Sequence, residues 1–235
     1  MMNRTFNLKD ASSQSHREIS RNIAFHEAGH AAAIHLGNQQ KGLPPVFFQI
    51  CVKPLNTDFQ SSECLGDRSA RYMAKVEGGR LIHTIATSFH ETTKYFSNAQ
   101  KLAYQCAFEA DIINLLVGPL AEARYIALRD NEPINSRLVN IEALQYYGGS
   151  SDLELVNEYL DCFIVTRDLR ERKLKALFMD AFSFINDRSN WLAITALADF
   201  ILSADRNVLQ FEEIGSILEQ GKLLTKNSIK GAIDT

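Results

Sequence analysis

Apolar positions follow a helical rhythm along most of this chain and lose it only between about residues 42 and 95. Before that gap, the stretch from about Glu18 to Leu36 is alanine-rich and periodic, which predicts a helix with Gly37-Asn38 as its stop. Inside the gap, Gly42-Leu43-Pro44-Pro45 breaks helix, and Val46 to Val52 has the β-branched and aromatic composition of a strand. Tyr72 to Val76 and Arg80 to Ala86 flank Glu77-Gly78-Gly79, a hairpin signal, with an irregular loop expected over Asn56 to Ser69. Beyond the gap, Lys101 to Arg129 reads as a helix that Gly118-Pro119 should kink or break, and Val139 to Tyr146 as a shorter helical piece. Ser151 and Glu154 have capping-box spacing at the head of a helix expected to run to about Arg167. Arg170 to Asn186, Trp191 to Ser203 and Phe211 to Gln220 follow as helices. The predicted fold class is therefore mainly α (α+β). A polar, serine-rich tail at residues 1–17 precedes a single domain, residues 18–235, with a small antiparallel β insert at about 42–95.

Composition narrows the function classes. With 235 residues and 46% hydrophobic content, the chain can bury one substantial core. Its formal charge of −3 and scattered lysines and arginines give no basic stripe for a nucleic-acid backbone, so no nucleic acid is expected as a partner. Cys51, Cys64, Cys106 and Cys162 form no C-x-x-C pair, and reduced cysteines of a cytoplasmic protein are the expectation. No apolar run has the length of a signal peptide or a transmembrane segment, so the chain is expected neither to span a membrane nor to carry an export address.

Chemistry is concentrated at His26-Glu27-Ala28-Gly29-His30. Two histidines four residues apart lie about 40° apart around a helix, so both can ligate one Zn²⁺ while the glutamate between them faces a water beside it. The bland alternative is a pair of histidines held by core hydrogen bonds. Gly29 is costly inside a helix, and close packing under a metal site would account for it. A catalytic zinc takes three protein ligands and keeps one position open, so a third acid or histidine is required. His35 lies about 180° around the helix from His26 and points away. His83 and His90 fall in or beside the β insert, and Lys94 stands where a second motif histidine after His90 would be. Asp152, at the head of a helix, is either the third ligand or an ordinary acid at the positive end of a helix dipole. Glu122 is a ligand, an acceptor behind a histidine N–H, or an exposed glutamate.

Ala24-Phe25-His26-Glu27-Ala28-Gly29-His30-Ala31, Gly118-Pro119-Leu120-Ala121-Glu122-Ala123 and Gly149-Ser150-Ser151-Asp152-Leu153-Glu154 together resemble the peptidase domain of the FtsH-type ATP-dependent zinc metalloproteases. The closing helices from Trp191 to Glu219 are also similar, so the resemblance extends unevenly over about residues 18–220. Pro119 and Ala123 depart from the family pattern, and residues 42–95 follow it only loosely. The resemblance implies Zn²⁺ held by His26, His30 and Asp152, with Glu27 as the catalytic glutamate and Glu122 behind the metal. The implied activity is a zinc hydrolase, a metalloendopeptidase cutting unfolded polypeptides or peptides. No G-x-x-x-x-G-K-[ST] motif occurs, so any ATPase of the AAA+ type is expected to be a separate partner. The alternative is a catalytically silent FtsH-like adaptor that binds polypeptide or such an ATPase, although a binding module does not need Glu27. An oligomer is compatible with either.

Overall fold

The computed structural model describes residues 21–52, 74–83, 88–204 and 206–230, the last seven by their backbone alone. The expected tail at 1–17 and the loop at Asn56 to Ser69 lie outside the described residues. Helix α1 occupies residues 21–40, with a π-helical stretch at Ala33–Gly37. There follow β1 (Phe48–Val52), β2 (Ala74–Gly78), a short α2 (Phe89–Thr92) and the long α3 (Asn98–Arg129). A 3-10 turn at Glu142–Tyr147 leads into α4 (Ser150–Phe163), α5 (Arg167–Asn186), α6 (Arg188–Ser203), β3 (Val208–Leu209) and α7 (Phe211–Lys230). The fold is mainly helical with one small antiparallel sheet, ordered β2-β1-β3, in which Ile50 stands opposite both Val76 and Leu209.

Helix α1 is buried on every side from Ala24 to Ile34, so it is a central strut. Ala24, Phe25, Ala28 and Leu36 pack with Phe48 and Ile50 of the sheet, Ile194 and Leu197 of α6, and Ile214 and Leu218 of α7. A second cluster joins Ile112, Leu116 and Leu120 of α3 to Val156 and Tyr159 of α4 and to Phe178 and Ile185 of α5. Ala33 belongs to the second cluster and Ala121 of α3 to the first, so α1 and α3 form the seam between them. At this seam a Cβ on Gly29 would come within 2.7 Å of the Ala121 Cβ and 2.9 Å of the Val117 carbonyl. Only glycine permits that helix crossing, which accounts for its place inside a helix.

Four sequence expectations are corrected. The first helix does not stop at Gly37-Asn38: both are buried, Gly37 beside Phe184, and the helix continues through the π stretch to Gln40. Pro119 does not break α3, because both its neighbours are buried and packing outweighs the roughly 3 kcal/mol a mid-helix proline costs. The capping box at Ser151 and Glu154 does not form, because α4 already starts at Ser150 behind Gly149, and the helix ends at Phe163. The hairpin after β2 is also absent over its described residues. Gly78 and Gly79 do turn the chain, at φ of 88° and 80°, but β2 pairs with β1, residues 80–83 form no strand, and 84–86 lie outside the described residues.

Candidate metal centre

His26 and His30 project from the middle of α1, and Asp152 from the first turn of α4. Asp152 Oδ2 lies 3.3 Å from His26 Nε2, and Asp152 Oδ1 lies 3.5 Å from His30 Nε2. One ligand atom from each of the three residues falls within 4.8 Å of the others, and all three side chains are buried. The local sequence left Asp152 with two readings, and the structure turns its carboxylate toward both imidazoles.

The opposite ring nitrogens fix the tautomers. His30 Nδ1 donates to the Asn114 carbonyl at 2.8 Å. A carbonyl has no proton to give, so Nδ1 carries the hydrogen and a neutral His30 presents a bare Nε2 toward Asp152. His26 Nδ1 is held likewise, 3.1 Å from Glu122 Oε2 and 3.2 Å from the Tyr147 carbonyl. Glu122, of which only 9% is exposed, therefore stands behind His26 rather than at the convergent point. Gly148 makes room for this arrangement. Its φ of 72° is left-handed, and a Cβ there would meet the His26 ring at 3.2 Å and Glu122 Oε2 at 3.1 Å.

Two imidazoles and two carboxylates in one buried volume reshape each other's proton affinities. Burial alone would lower His26, but the hydrogen bonds to Asp152 and Glu122 prevail and hold its pKa well above the ordinary imidazole value. His30 is raised in the same way, its burial outweighed by Asp152. Asp152 moves oppositely: burial favours its neutral form, yet the two histidines hold it well below the usual carboxylate range. Such a cluster attracts positive charge, and a divalent ion would place on one centre the charge that two protons spread over two rings.

Known proteins add nothing to this geometry. No family model matches the chain, nor does any curated protein or solved structure.

Glu27 sits beside the three residues and lines the same cleft of about 450 Å³, with Ile23, Ile34, Val76, Leu115 and Tyr159 among its walls. Its Oε2 accepts the Val76 N–H of β2 at 2.6 Å. Val76 stands opposite Ile50 in the sheet, so its N–H points to the outer edge of β2, away from β1. The remaining histidines among the described residues lie elsewhere. His35 packs under α7 with its Nε2 3.3 Å from Glu219 Oε1, and His83 and His90 are exposed.

The donor set fits zinc. Two imidazole Nε2 atoms and one carboxylate make a three-ligand set of the kind that leaves a fourth position open, and each histidine has an acceptor behind it. Sequence reading identified His26, Glu27, His30, Asp152 and Glu122, and the structure brings these five together. It missed the Asn114 and Tyr147 carbonyls, which leave no mark in a sequence because every residue carries one. It also missed Asp111, whose signal was available: an acid inside the apolar run Ala110 to Val117.

Among the described residues, no helix is long and apolar enough to cross a membrane, and no disulfide joins Cys51, Cys106 and Cys162 to one another.

Proposed function

We propose that this chain is a zinc-dependent metallopeptidase acting on unfolded polypeptides or peptides. The observation that carries the reading is the convergence of His26 Nε2, His30 Nε2 and the Asp152 carboxylate, with the Glu27 carboxylate beside them in one cleft. The zinc would be held by those three residues and would polarise the scissile carbonyl and acidify a water toward a pKa of about 7.

The chain's own groups supply the rest. Glu27 takes the water proton on its carboxylate and hands it to the leaving amine. Val76 holds Glu27 through Oε2, which leaves Oε1 to take up the proton of the reacting water. Glu122 and the Asn114 and Tyr147 carbonyls keep the histidines in the tautomer that presents Nε2. The apolar walls of the cleft exclude solvent, and the outer edge of β2 offers main-chain groups to an extended chain. The resemblance of the H-E-A-G-H-A helix and the G-S-S-D-L-E loop to FtsH-type peptidases supports the same chemistry. A separate AAA+ ATPase is the partner that would supply unfolded substrate.

The test is metal content and cleavage of an unfolded casein-type substrate by wild type and Glu27→Gln, without ATP. One zinc per chain, with cleavage lost only in the variant, is the expected result. Zinc with no cleavage in either protein would move the assignment to the silent adaptor.

A further inference from the structure

The Asp111 carboxylate is 3% exposed, lies in the wall of the cleft, and has no part in holding the proposed metal. It gathers three donors from two other parts of the chain. Oδ1 accepts the Leu81 N–H at 2.9 Å, and Oδ2 accepts the Ile82 N–H at 2.8 Å and the Tyr159 hydroxyl at 3.3 Å. The same hydroxyl lies 3.2 Å from the Ile82 carbonyl. One buried carboxylate on α3 thereby fastens the turn that leaves β2 to α4.

That turn is short and tightly confined. Gly79 donates its N–H to the Phe47 carbonyl at 3.0 Å, and its left-handed backbone lies so close to Ile34 of α1 that a Cβ would overlap the isoleucine side chain. Upstream of this fixed turn stands Val76, whose N–H meets Glu27. Among the described residues, strand β2 is bonded to β1 along one side only. Its outer edge is held to α1 by the Val76 contact with Glu27, and beyond Gly79 the turn is held to α3 by Asp111. A strand fixed at its exit cannot slide or lift without breaking the Leu81 and Ile82 N–H bonds to this buried carboxylate, a stronger kind of hydrogen bond.

We infer that Asp111 is a positioning residue for Glu27: by clamping the turn after β2 it keeps the Val76 N–H on the Glu27 carboxylate and so sets the direction of the free oxygen. This rests on the peptidase reading above, since only there does the aim of Glu27 matter. Asp111 touches neither the reacting atoms nor the three metal-facing residues, and it acts through β2.

The experiment compares zinc-loaded wild type, Asp111→Asn and Tyr159→Phe by amide hydrogen exchange and by kcat and KM on a quenched peptide. The asparagine keeps one acceptor and places a donor where Ile82 needs an acceptor. Tyr159→Phe removes a single hydroxyl and remains informative if the first variant folds poorly. In Asp111→Asn the Val76 amide is expected to exchange at least about tenfold faster while the Leu197 amide of α6 is unchanged. Its kcat per bound zinc falls by about tenfold or more with KM within about threefold, and Tyr159→Phe moves both readouts the same way by a smaller factor. The visible spectrum of cobalt-substituted protein stays as in wild type. Unchanged Val76 exchange and kcat would overturn the inference. So would a loss of activity matched by lost metal or by uniformly faster exchange, because that is the pattern of a merely structural residue. The two readings fail separately. Cleavage untouched by Asp111→Asn removes the clamp and leaves the peptidase, whereas a Val76 amide released by the substitution in a protein that cuts nothing keeps the clamp and removes the peptidase.

Discussion

Gly118 of α3 lies directly against the imidazole of His30, so close that a Cβ on it would overlap Nε2, Cε1 and Cδ2 of the ring. The nitrogen that faces Asp152 is therefore placed by the absence of a side chain on a neighbouring helix. Gly118→Ala should push the ring out of line, costing about 1–3 kcal/mol of stability as overpacking does. Zinc titration should show a clear loss of affinity in a protein that remains folded by circular dichroism. Wild-type affinity in this variant would mean that His30 is not a ligand.

Glu27→Gln leaves the metal-facing atoms in place and removes the proton acceptor. Zinc stoichiometry should stay at the wild-type level while peptide cleavage falls by about 10²–10⁴-fold, the usual worth of a positioned general base. Asp152→Ala should instead lose zinc. Hydrolysis surviving in Glu27→Gln would remove the role given to that residue.

Glu122 acts on His26 from behind. Its replacement by alanine leaves the Tyr147 carbonyl as the sole acceptor for the His26 Nδ1–H, and zinc affinity should fall by about 10–100-fold without abolishing binding. Competition with a fluorescent chelator measures it. An unchanged dissociation constant would show that Tyr147 alone orients the ring.

Proton linkage in the metal-free protein follows from the shifted groups. His26 and His30 bind protons more tightly when folded, so their contribution to stability is complete below about pH 6.5 and is lost as pH rises through their raised values. Asp152, depressed in the fold, contributes above about pH 3.9 and loses that contribution as pH falls through its folded value. Metal-free protein should therefore melt highest between about pH 4 and 6.5 and lose stability on the alkaline side. Zinc displaces the histidine protons, so the gap in melting temperature between loaded and metal-free protein should widen from pH 6 to pH 8. Scanning calorimetry across that range would expose a gap that narrows instead.

How far the sequence could be read depended on the range of the forces involved. The motif helix with His26, Glu27 and His30 was legible because residue type and spacing determine what one turn of helix presents, whereas Asp152 and Glu122, left open by their local sequence, came only with the resemblance to FtsH-type peptidases. Gly78-Gly79 marked a turn correctly, but which segment the chain meets after it was decided by Asp111, about thirty residues away. Ser151 promised a cap, yet the helix began two residues earlier than that role requires. Pro119 promised a break, and burial of its neighbours overrode the local preference. Val76 contributes through its amide and Asn114 through its carbonyl, so no reading of their side chains would have found them.

The centre is assembled from distant parts of the chain, with His26 and the Tyr147 carbonyl 121 positions apart. Closing a loop of that length is slow and entropically costly, so the ligand set is complete only after α1, α3 and α4 have docked. Zinc arriving then has little influence on how fast the chain folds and mainly retards its opening. In kinetic terms a bound metal would serve as a late lock, lengthening the lifetime of the folded chain.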